Sequence, residues 1–332
     1  MTDSRQCTLV AVGDIFLDRD EPADAFLPVH DLFAANDLVL GNLEAPVTER
    51  SELPPWAGKF PLRMRPQMVP ALVTAPFSVL SLANNHTMDY GAPALIDTIE
   101  ALDSAKIPFA GAGRNVADSE RAAVVEANGL RVGVVAFQAT DHERPDMSAT
   151  LGRPGLNRLR LSPYFAPPHV DPVDMARLAG AIRAAREVSD VVIAVFHWGL
   201  AGSTSLTTTQ TGVARAAIAA GADLILGHHA HVPQPVEVID GRPVVYGLGN
   251  FVFDWNFPHF IPPRMIAEFT LGADGVKEAS VRFAWAEPEL ELVGLSEDRL
   301  AETLDTFRTA SEAMGTSFTA HSDGQRLLVG LG

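Results

Sequence analysis

The sequence predicts a mixed α/β fold in which two sheets pack together within one domain. Three observations support this prediction. The first is that early strand patterns alternate with amphipathic helices, as in βαβ units. The second is that further helix patterns follow in the middle of the chain, and the third is a run of β-hairpin patterns in the last third. Because no repeat or composition break marks a second unit, we expect one domain over residues 1–332, with a core at 7–286 and a C-terminal helix and tail at 287–332.

Composition limits the possible partners. The 332 residues are 47% hydrophobic and 20% charged, which is enough apolar content for a sizeable core. The formal net charge of −16 argues against nucleic acid or an anionic membrane as a partner, because an acidic surface repels both. An acidic protein can still bind an anionic substrate where metal ions supply local positive charge.

The single cysteine, Cys7, excludes an intramolecular disulfide and a zinc site built from thiolates. The N-terminal residues lack the pattern of a signal peptide, and no apolar run approaches the roughly twenty residues of a membrane span. We therefore expect a cytoplasmic protein with no membrane span.

The first two predicted strands both end in acidic residues. Cys7–Val12 is a buried strand pattern followed by Gly13 and Asp14, and an amphipathic helix is predicted over Ala23–Ala35. Open α/β sheets bind ligands at the carboxyl ends of their strands, although an aspartate there is also typical of a turn or helix cap. The second strand, Asp37–Leu40, ends in Gly41, Asn42, Leu43 and Glu44.

A proline-rich loop over Ser51–Pro66 carries Arg63 and Arg65, which either contact an anionic substrate or only keep the surface soluble. The third strand pattern, Phe77–Leu82, precedes a helix pattern at Ala92–Ala105. Between them lie polar residues at a strand end for the third time: Asn84, Asn85, His86 and Asp89.

The next segment contains the strongest local hairpin signal, Asn128-Gly129 between apolar runs. It is followed by a polar, proline-rich stretch over Thr140–Pro172 that includes Arg144 and Arg153. This stretch is too long for a plain connection, so we interpret it as an excursion or lid over the site, with a disordered insertion as the alternative.

Two further strands end in histidines. A helix pattern at Asp174–Glu187 precedes the strand Asp190–Phe196, which ends at His197. A helix at Thr207–Ala220 then leads into a strand that ends in a cluster of three of the ten histidines, namely His228, His229 and His231.

Core packing gives little reason to cluster imidazoles, whereas a divalent metal gives a strong one. A solvated polar turn is the alternative interpretation. On an extended segment, His229 and His231 would point to the same side as two ligands. His228 would point the other way, so we expect it to contact a ligand residue or the substrate.

The last third predicts two more hairpins, around Asp240-Gly241 and around Ala273-Asp274-Gly275. The first of them ends in Asn250, and a helix is predicted over Glu297–Met314.

Taken together, the strand ends provide a mixed set of nitrogen and oxygen ligands. Carboxylates, an amide oxygen and imidazoles suit two divalent ions a few ångströms apart with a bridging carboxylate. The candidate set comprises Asp14, Glu44, Asn85, His86, His197, His229 and His231.

Six short motifs follow one another along the chain: Gly-Asp at 13–14, Asn-Leu-Glu at 42–44, Ala-Asn-Asn-His-Thr-Met-Asp-Tyr-Gly at 83–91, His-Trp-Gly at 197–199, Gly-His-His-Ala-His-Val at 227–232 and Gly-Leu-Gly-Asn-Phe at 247–251. In this order they resemble the poly-γ-glutamate capsule synthesis family (CapA, PGA_cap), which is similar to the calcineurin-like metallophosphoesterases. The resemblance runs from about residue 8 to residue 255.

The resemblance implies a four-layer α/β/β/α sandwich of the metallophosphoesterase type with two divalent ions (Mn, Fe or Zn). It assigns Glu44 as the bridging ligand, with Asn42 as the other candidate, and His86 as the group that protonates the leaving group, oriented by Asp89. The remaining implied metal ligands are Asp14, Asn85, His197, His229 and His231. Contacts to ligands or substrate are expected from Asn42, Asn84, His228, Asn250, Arg63 and Arg65.

The sequence departs from the metallophosphoesterase pattern at two positions. Phe16 stands where a histidine usually follows the first aspartate by two residues, and Glu44 replaces the usual bridging aspartate. One metal site is then weaker, or the centre holds a different metal.

The resemblance favours a metal-dependent hydrolase that uses activated water to attack a phosphoester or a γ-glutamyl-type amide. One alternative is a biosynthetic enzyme that uses the same centre for acyl or phosphoryl transfer, with Arg63, Arg65, Arg144 and Arg153 as substrate clamps. The other is a non-catalytic accessory protein that binds an acidic polymer such as poly-γ-glutamate. His86 favours an enzyme, because a binding module has no need of a general acid.

Overall fold

The structure is a computed structural model that describes residues 4–140, 147–162, 169–255, 263–286 and 290–332. It is a mixed α/β fold of several sheets and helices within one domain, which confirms the mixed α/β part of the prediction. Among the described helices, none is both long enough and apolar enough to cross a membrane.

Strands and helices alternate over residues 6–105, as predicted, and the described residues from 109 to 170 form mostly strands. Short 3-10 turns lie at Pro22–Asp24, Leu27–Val29 and Pro66–Met68. The elements are β1 (Gln6–Phe16), α1 (His30–Ala34), β2 (Leu38–Leu43), α2 (Val69–Thr74), β3 (Val79–Ser81), α3 (Gly91–Ala105), β4 (Phe109–Ala110), β5 (Ala112–Gly113), α4 (Val116–Glu120), β6 (Ala123–Ala127), β7 (Leu130–Ala139), β8 (Gly155–Leu156), β9 (Leu161–Ser162) and β10 (His169–Val170).

The second half begins with two long helices and continues mostly as strands, with a 3-10 turn at Asp298–Leu300. Its elements are α5 (Pro172–Val188), β11 (Val191–Trp198), α6 (Thr208–Ala220), β12 (Leu224–His228), β13 (Val236–Ile239), β14 (Arg242–Val245), β15 (Asn250–Phe253), β16 (Arg264–Gly272), β17 (Gly275–Ala286), β18 (Leu290–Val293), α7 (Ala301–Glu312), β19 (Phe318–Ala320) and β20 (Arg326–Val329).

Two sheets carry most of the strands. The large sheet has the order β19-β20-β17-β16-β1-β2-β3-β4, with β15 beside β1 and β18 beside β17. The smaller one has the order β13-β14-β12-β11-β7-β6. Strands β1, β2 and β3 run parallel, as do β7, β11 and β12, so each set brings its carboxyl ends to one edge.

Three apolar clusters hold these elements together. One contains residues of α1–α3 and of β1, such as Phe33, Leu95 and Val12. A second combines residues of both sheets, such as Leu9 and Ile193. The third contains residues of the smaller sheet with helices α5 and α6: Val135, Phe196, Leu178, Ile182 and Ala217.

The predicted hairpins are present at all three positions. Asn128 and Gly129 join β6 to β7 with φ angles of 50° and 77°, the left-handed pair that a tight type I′ turn requires. Asp240 and Gly241 join β13 to β14 with the same signs of φ. The third hairpin joins β16 to β17.

The predicted helix over residues 23–35 is wrong in extent. The chain forms two separate 3-10 turns before a helix of five residues begins at His30. Pro22 and Pro28 lie within the short turns, and a proline lacks the N–H that a continuous helix would need there. The amphipathic pattern alone therefore overestimated this helix.

Gly13 shows how closely the strands approach one another beside Asp14. A Cβ atom at this position would lie 1.9 Å from the carbonyl oxygen of Gly249, which accepts a hydrogen bond from the N–H of Asp14. We expect Gly13→Ala to lower the free energy of unfolding by about 3 kcal/mol, because the backbones of β1 and the 249 turn must move apart. Urea denaturation would measure this change.

Gly180→Ala is the matched control for Gly13→Ala. Gly180 lies within α5, and an added Cβ atom there meets nothing within 4 Å. The control should gain about 0.5–1 kcal/mol, since glycine is a poor helix former. Similar small effects in both variants would contradict the close approach at Gly13.

Candidate metal centre

The predicted ligands lie at the carboxyl ends of strands from both sheets. These strands are β1, β2 and β3 of the large sheet and β11 and β12 of the smaller sheet. Asp14 lies near the end of β1, Glu44 directly follows β2, and Asn85 lies in the loop after β3. The histidines come from the other sheet, at the ends of β11 and β12. All of the predicted ligands except His231 are buried, and the His231 side chain is 12% exposed.

One group of ligand atoms is formed by Glu44, His197 and His229, which lie within 4.8 Å of one another. His197 is at its centre: its Nε2 lies 3.6 Å from Glu44 Oε1, 3.1 Å from His229 Nδ1 and 2.6 Å from Asn85 Oδ1. Two ring nitrogens, a carboxylate and an amide oxygen therefore converge.

A second group is formed by Asp14, Glu44 and His231. Here His231 Nδ1 lies 3.4 Å from Asp14 Oδ2, and its Nε2 lies 3.8 Å from Glu44 Oε1. Asn250 Oδ1 lies 2.7 Å from His231 Nδ1. Glu44 belongs to both groups, which is the position that a bridging carboxylate takes between two ions.

Glu44 is the clearest sign of what the cluster would bind. Both of its carboxylate oxygens are buried and have no hydrogen-bond partner among the described residues. Burial, reinforced by the negative charge of Asp14, holds the pKa of Glu44 well above its ordinary 4.5. A buried carboxylate without partners is costly, and a divalent cation would satisfy both oxygens, so these residues fit such an ion.

The neighbouring charges also suit metal binding. Burial alone would raise the pKa of Asp14, but its hydrogen bond to His228 and the nearby imidazoles hold that pKa below its ordinary range. Burial, with a contribution from His229, holds the pKa of His197 well below 6.5, and burial also lowers the pKa of His231. Neutral imidazole is the form that binds a metal.

The histidine cluster is a turn rather than the extended segment that the sequence predicted. Strand β12 ends at His228, and His229 and His231 adopt positive φ angles of 86° and 58°. Such angles cost a non-glycine residue about 1–3 kcal/mol and concentrate at functional sites. The N–H of His229 donates to Asp14 Oδ2 at 3.3 Å, which holds the turn against β1. Both side chains therefore reach the cluster, but through turn geometry.

Three other predicted residues support Asp14 and the adjacent loop. His228 Nδ1 lies 3.0 Å from Asp14 Oδ1, and Asn42 Nδ2 donates to the same oxygen at 2.9 Å. Asn84 Nδ2 donates in turn to Asn42 Oδ1 at 3.1 Å. The oxygen of Asn84 accepts from the N–H groups of His86 and Thr87, so Asn84 also shapes the loop that carries His86.

His86 lies beside the cluster and pairs with Asp89. The distance from His86 Nδ1 to Asp89 Oδ2 is 2.6 Å, and the same oxygen accepts from the N–H of Leu62 at 2.8 Å. The carboxylate is fully buried, whereas the His86 side chain is 14% exposed. Asp89 therefore fixes the orientation of the ring and leaves Nε2 available.

Arg63 and Arg65 contact residues outside the two ligand groups. Arg63 donates to the backbone oxygen of Arg50 and lies over the ring of Tyr90, and Arg65 lies 3.7 Å from Asp18. Arg153 donates to the backbone oxygen of Ser148. Arg144 lies outside the described residues.

Phe16, which lies where the resemblance led us to expect a histidine, packs in a row of aromatic rings beside the second group. Its ring lies 5.5 Å from that of Phe253, which in turn lies 5.5 Å from the imidazole of His231. Sequence reasoning missed Gln138, a buried side chain at the end of β7 whose Cα is in register with that of His197. Its signal was a polar residue directly after the apolar run 132–137.

Comparison with known proteins places the same region of the chain in one family. The model for the bacterial capsule synthesis protein PGA_cap matches residues 8–255. The PGA biosynthesis protein CapA of Bacillus subtilis is 33% identical over 252 residues, which cover 73% of this chain and 62% of that protein.

Two further relatives give a similar result. The capsule biosynthesis protein CapA of Bacillus anthracis is 32% identical over 262 residues, covering 76% of this chain and 61% of that protein. A probable polyglutamine synthesis accessory protein of Mycobacterium tuberculosis is 34% identical over 227 residues, covering 67% and 57%. The chain thus spans about three fifths of the length of these relatives.

Proposed function

The chain belongs to the bacterial capsule synthesis protein (PGA_cap) family, and from this premise we propose that it is a metal-dependent hydrolase with a two-metal centre. The observation that carries the proposal is the position of Glu44. Its buried carboxylate is shared by two groups of ligand atoms and has no hydrogen-bond partner in the described part of the chain.

The proposed ligands follow from the two groups. Glu44, His197, His229 and the amide oxygen of Asn85 would hold one ion. Asp14, Glu44 and His231 would hold the other, and Asn250 would orient the ring of His231. When bound, the ions (Mn, Fe or Zn) would polarise the scissile group and lower the pKa of a water molecule.

The chain itself would supply the proton. With its Nδ1 held by the buried carboxylate of Asp89, His86 would present Nε2 to the leaving group. His228 and Asn42 would hold Asp14 in place through its Oδ1 atom. The substrate would be a phosphoester or a γ-glutamyl-type amide, because both reactions use an activated water and a general acid.

Two alternatives remain as competing functions. The names of the Bacillus relatives contain biosynthesis, which favours acyl or phosphoryl transfer at the same centre. The mycobacterial relative is named as an accessory protein, which favours binding of an acidic polymer without turnover. The His86–Asp89 pair supports an enzyme, because polymer binding alone requires no oriented proton donor.

We also propose that the domain is a four-layer α/β/β/α sandwich of the metallophosphoesterase type extending over residues 1–332, with its core at 7–286. The support is the position of the three apolar clusters. The first lies between helices α1–α3 and the large sheet, the second between the two sheets, and the third between the smaller sheet and helices α5 and α6. Strands β18, β19 and β20 would attach the C-terminal part to the large sheet, since β18 and β20 pair with β17.

The test of the metal centre is elemental analysis of the purified protein and of Asp14→Ala and His229→Ala. We expect about two equivalents of zinc, manganese or iron in the unaltered protein and a clear loss in both variants. His30→Ala is the matched control, because His30 is an exposed histidine and should leave the metal content unchanged. Absence of metal even after reconstitution would contradict the hydrolase and favour the accessory function.

A further inference from the structure

Gln138 is a buried polar residue for which the proposed mechanism has no use. Its side chain is fully buried at the end of β7. The amide nitrogen donates to Thr140 Oγ1, whereas the amide oxygen has no hydrogen-bond partner among the described residues. A buried amide oxygen that stays unsatisfied is costly, so a partner from outside the chain would be stabilising.

The side chain of Gln138 faces the same side of the sheet as that of His197. In β7 and β11, residues that belong to the cluster between the two sheets, such as Ala136 and Val195, alternate with residues of the outer cluster, such as Phe137 and Phe196. By this alternation Gln138 and His197 share the inner face, and their Cα atoms are partners in the β7–β11 register. Neighbouring strands lie about 4.8 Å apart, so Gln138 borders the proposed metal site.

The backbone on both sides holds Gln138 firmly. Its N–H donates to the oxygen of Asn157, and its own oxygen accepts from the N–H of Leu159. Arg158 lies between these two residues, pairs with Gln138 as a β-bridge and is buried. These backbone contacts fix the position of Gln138 at the end of β7.

The loop that carries His86 lies against the same strand. A Cβ atom at Gly111 would lie 2.5 Å from Ala83 Cβ and 2.8 Å from Ala136 Cβ, so only a glycine fits between the start of that loop and β7. Ala83 lies three residues before His86, and Ala136 lies two residues before Gln138. The loop with His86, the proposed proton donor, and the strand with Gln138 therefore lie side by side at the proposed site.

Gln210 illustrates how a purely structural glutamine is satisfied in this protein. It is also fully buried, but its oxygen accepts from the N–H of Thr207 and its nitrogen donates to Gln234. The difference between these two glutamines lies in the unsatisfied oxygen of Gln138.

We propose that the amide oxygen of Gln138 accepts a hydrogen bond from an amide N–H of a bound γ-glutamyl chain. This inference rests on the proposed function and chooses between its two substrate classes. A γ-glutamyl amide supplies an N–H donor, whereas a fully ionised phosphoester does not. Gln138 is thus a positioning residue that makes the site selective for amide chains.

The test is calorimetric titration of manganese-treated protein with a γ-glutamyl tetramer and, separately, with phenylphosphonate at pH 8.5, a dianion without N–H or O–H groups. All proteins carry His86→Ala so that turnover does not consume the tetramer. Gln138→Met removes the polar atoms at similar length and should weaken tetramer binding about tenfold, the usual net effect of one hydrogen bond. Gln138→Glu keeps an acceptor oxygen and should retain most of the affinity.

Phenylphosphonate binding should be unchanged in Gln138→Met, and Gln210→Met should leave the Kd of both ligands unchanged. Equal weakening of both ligands by Gln138→Met, or an unchanged tetramer Kd, would overturn the inference. It would also be overturned if the protein without a Gln138 substitution did not bind the tetramer. Elemental analysis of the same samples reports separately on the metal centre, so its failure is distinguishable from the failure of Gln138.

Discussion

Glu44→Gln is expected to abolish metal binding and, at the same time, to stabilise the metal-free protein. Both effects have one physical cause, the buried carboxylate that two ligand groups share without a hydrogen-bond partner from the described residues. An amide cannot replace a bridging carboxylate, and the loss of outer partners alone weakens metal sites about 10–100-fold. We therefore expect the metal affinity to fall by at least about 100-fold.

The stability gain should be about 1–3 kcal/mol in the presence of a chelator, because the variant no longer buries an ionisable group without partners. The pH dependence of the free energy of unfolding gives a sharper test. Since the pKa of Glu44 is raised well above 4.5, the folded state retains a proton that the unfolded state has already lost. The free energy of unfolding therefore falls as pH rises above 4.5 towards the folded-state pKa.

The other buried groups with shifted pKa values affect stability outside the pH range in which Glu44 is tested. The lowered pKa values of His197 and His231 give the opposite slope, but only up to the unfolded value of 6.5. Burial raises the pKa of Cys7 from 9.0 to about 11, which matters only at higher pH. Between pH 6.5 and the raised folded-state pKa of Glu44, metal-free wild-type protein should lose stability and Glu44→Gln should not.

Chemical denaturation at several pH values, together with elemental analysis, would measure both effects. Glu237→Gln is the matched control, since Glu237 is also buried but pairs with Arg215 and Tyr246. That control should lose stability and keep its metal. A Glu44→Gln protein that retained both ions, or lost stability across the whole window, would contradict the bridging position of Glu44.

His86→Ala is expected to keep the metal and lose most of the activity. The Asp89 carboxylate orients the ring through Nδ1, so the variant removes the proposed proton donor but none of the side chains in the two ligand groups. General acid catalysis contributes about 100- to 10,000-fold, and we expect a loss of kcat in that range. The assay would use γ-glutamyl amides and phosphoesters in parallel.

His30→Ala serves as the control for His86→Ala, because it removes an exposed histidine at a helix start. Asp89→Asn should lower kcat less than His86→Ala does, since the ring remains present but is held less firmly. Loss of metal from His86→Ala would make His86 a ligand, and unchanged activity would remove it from the chemistry.

The sequence determined those features that depend on neighbouring residues. Alternation and apolar runs located the strands, and Asn128-Gly129 located a hairpin because its two left-handed residues define the turn locally. The polar ends of the strands identified Asp14, Glu44 and His197 as candidates, because carboxyl ends of parallel strands share an edge. The ordered motifs identified the family.

The tertiary structure decided which of these residues meet. Asp14 and His228 are 214 positions apart in the chain, and only the packing of β1 against β12 brings their side chains to 3.0 Å. The same packing bends residues 228–231 into a turn, against the extended geometry that their spacing suggested. Gln138 became a candidate only through its register with His197. Local periodicity fixes where a strand ends, whereas contacts between strand ends depend on sheet order and burial, which arise from the whole chain.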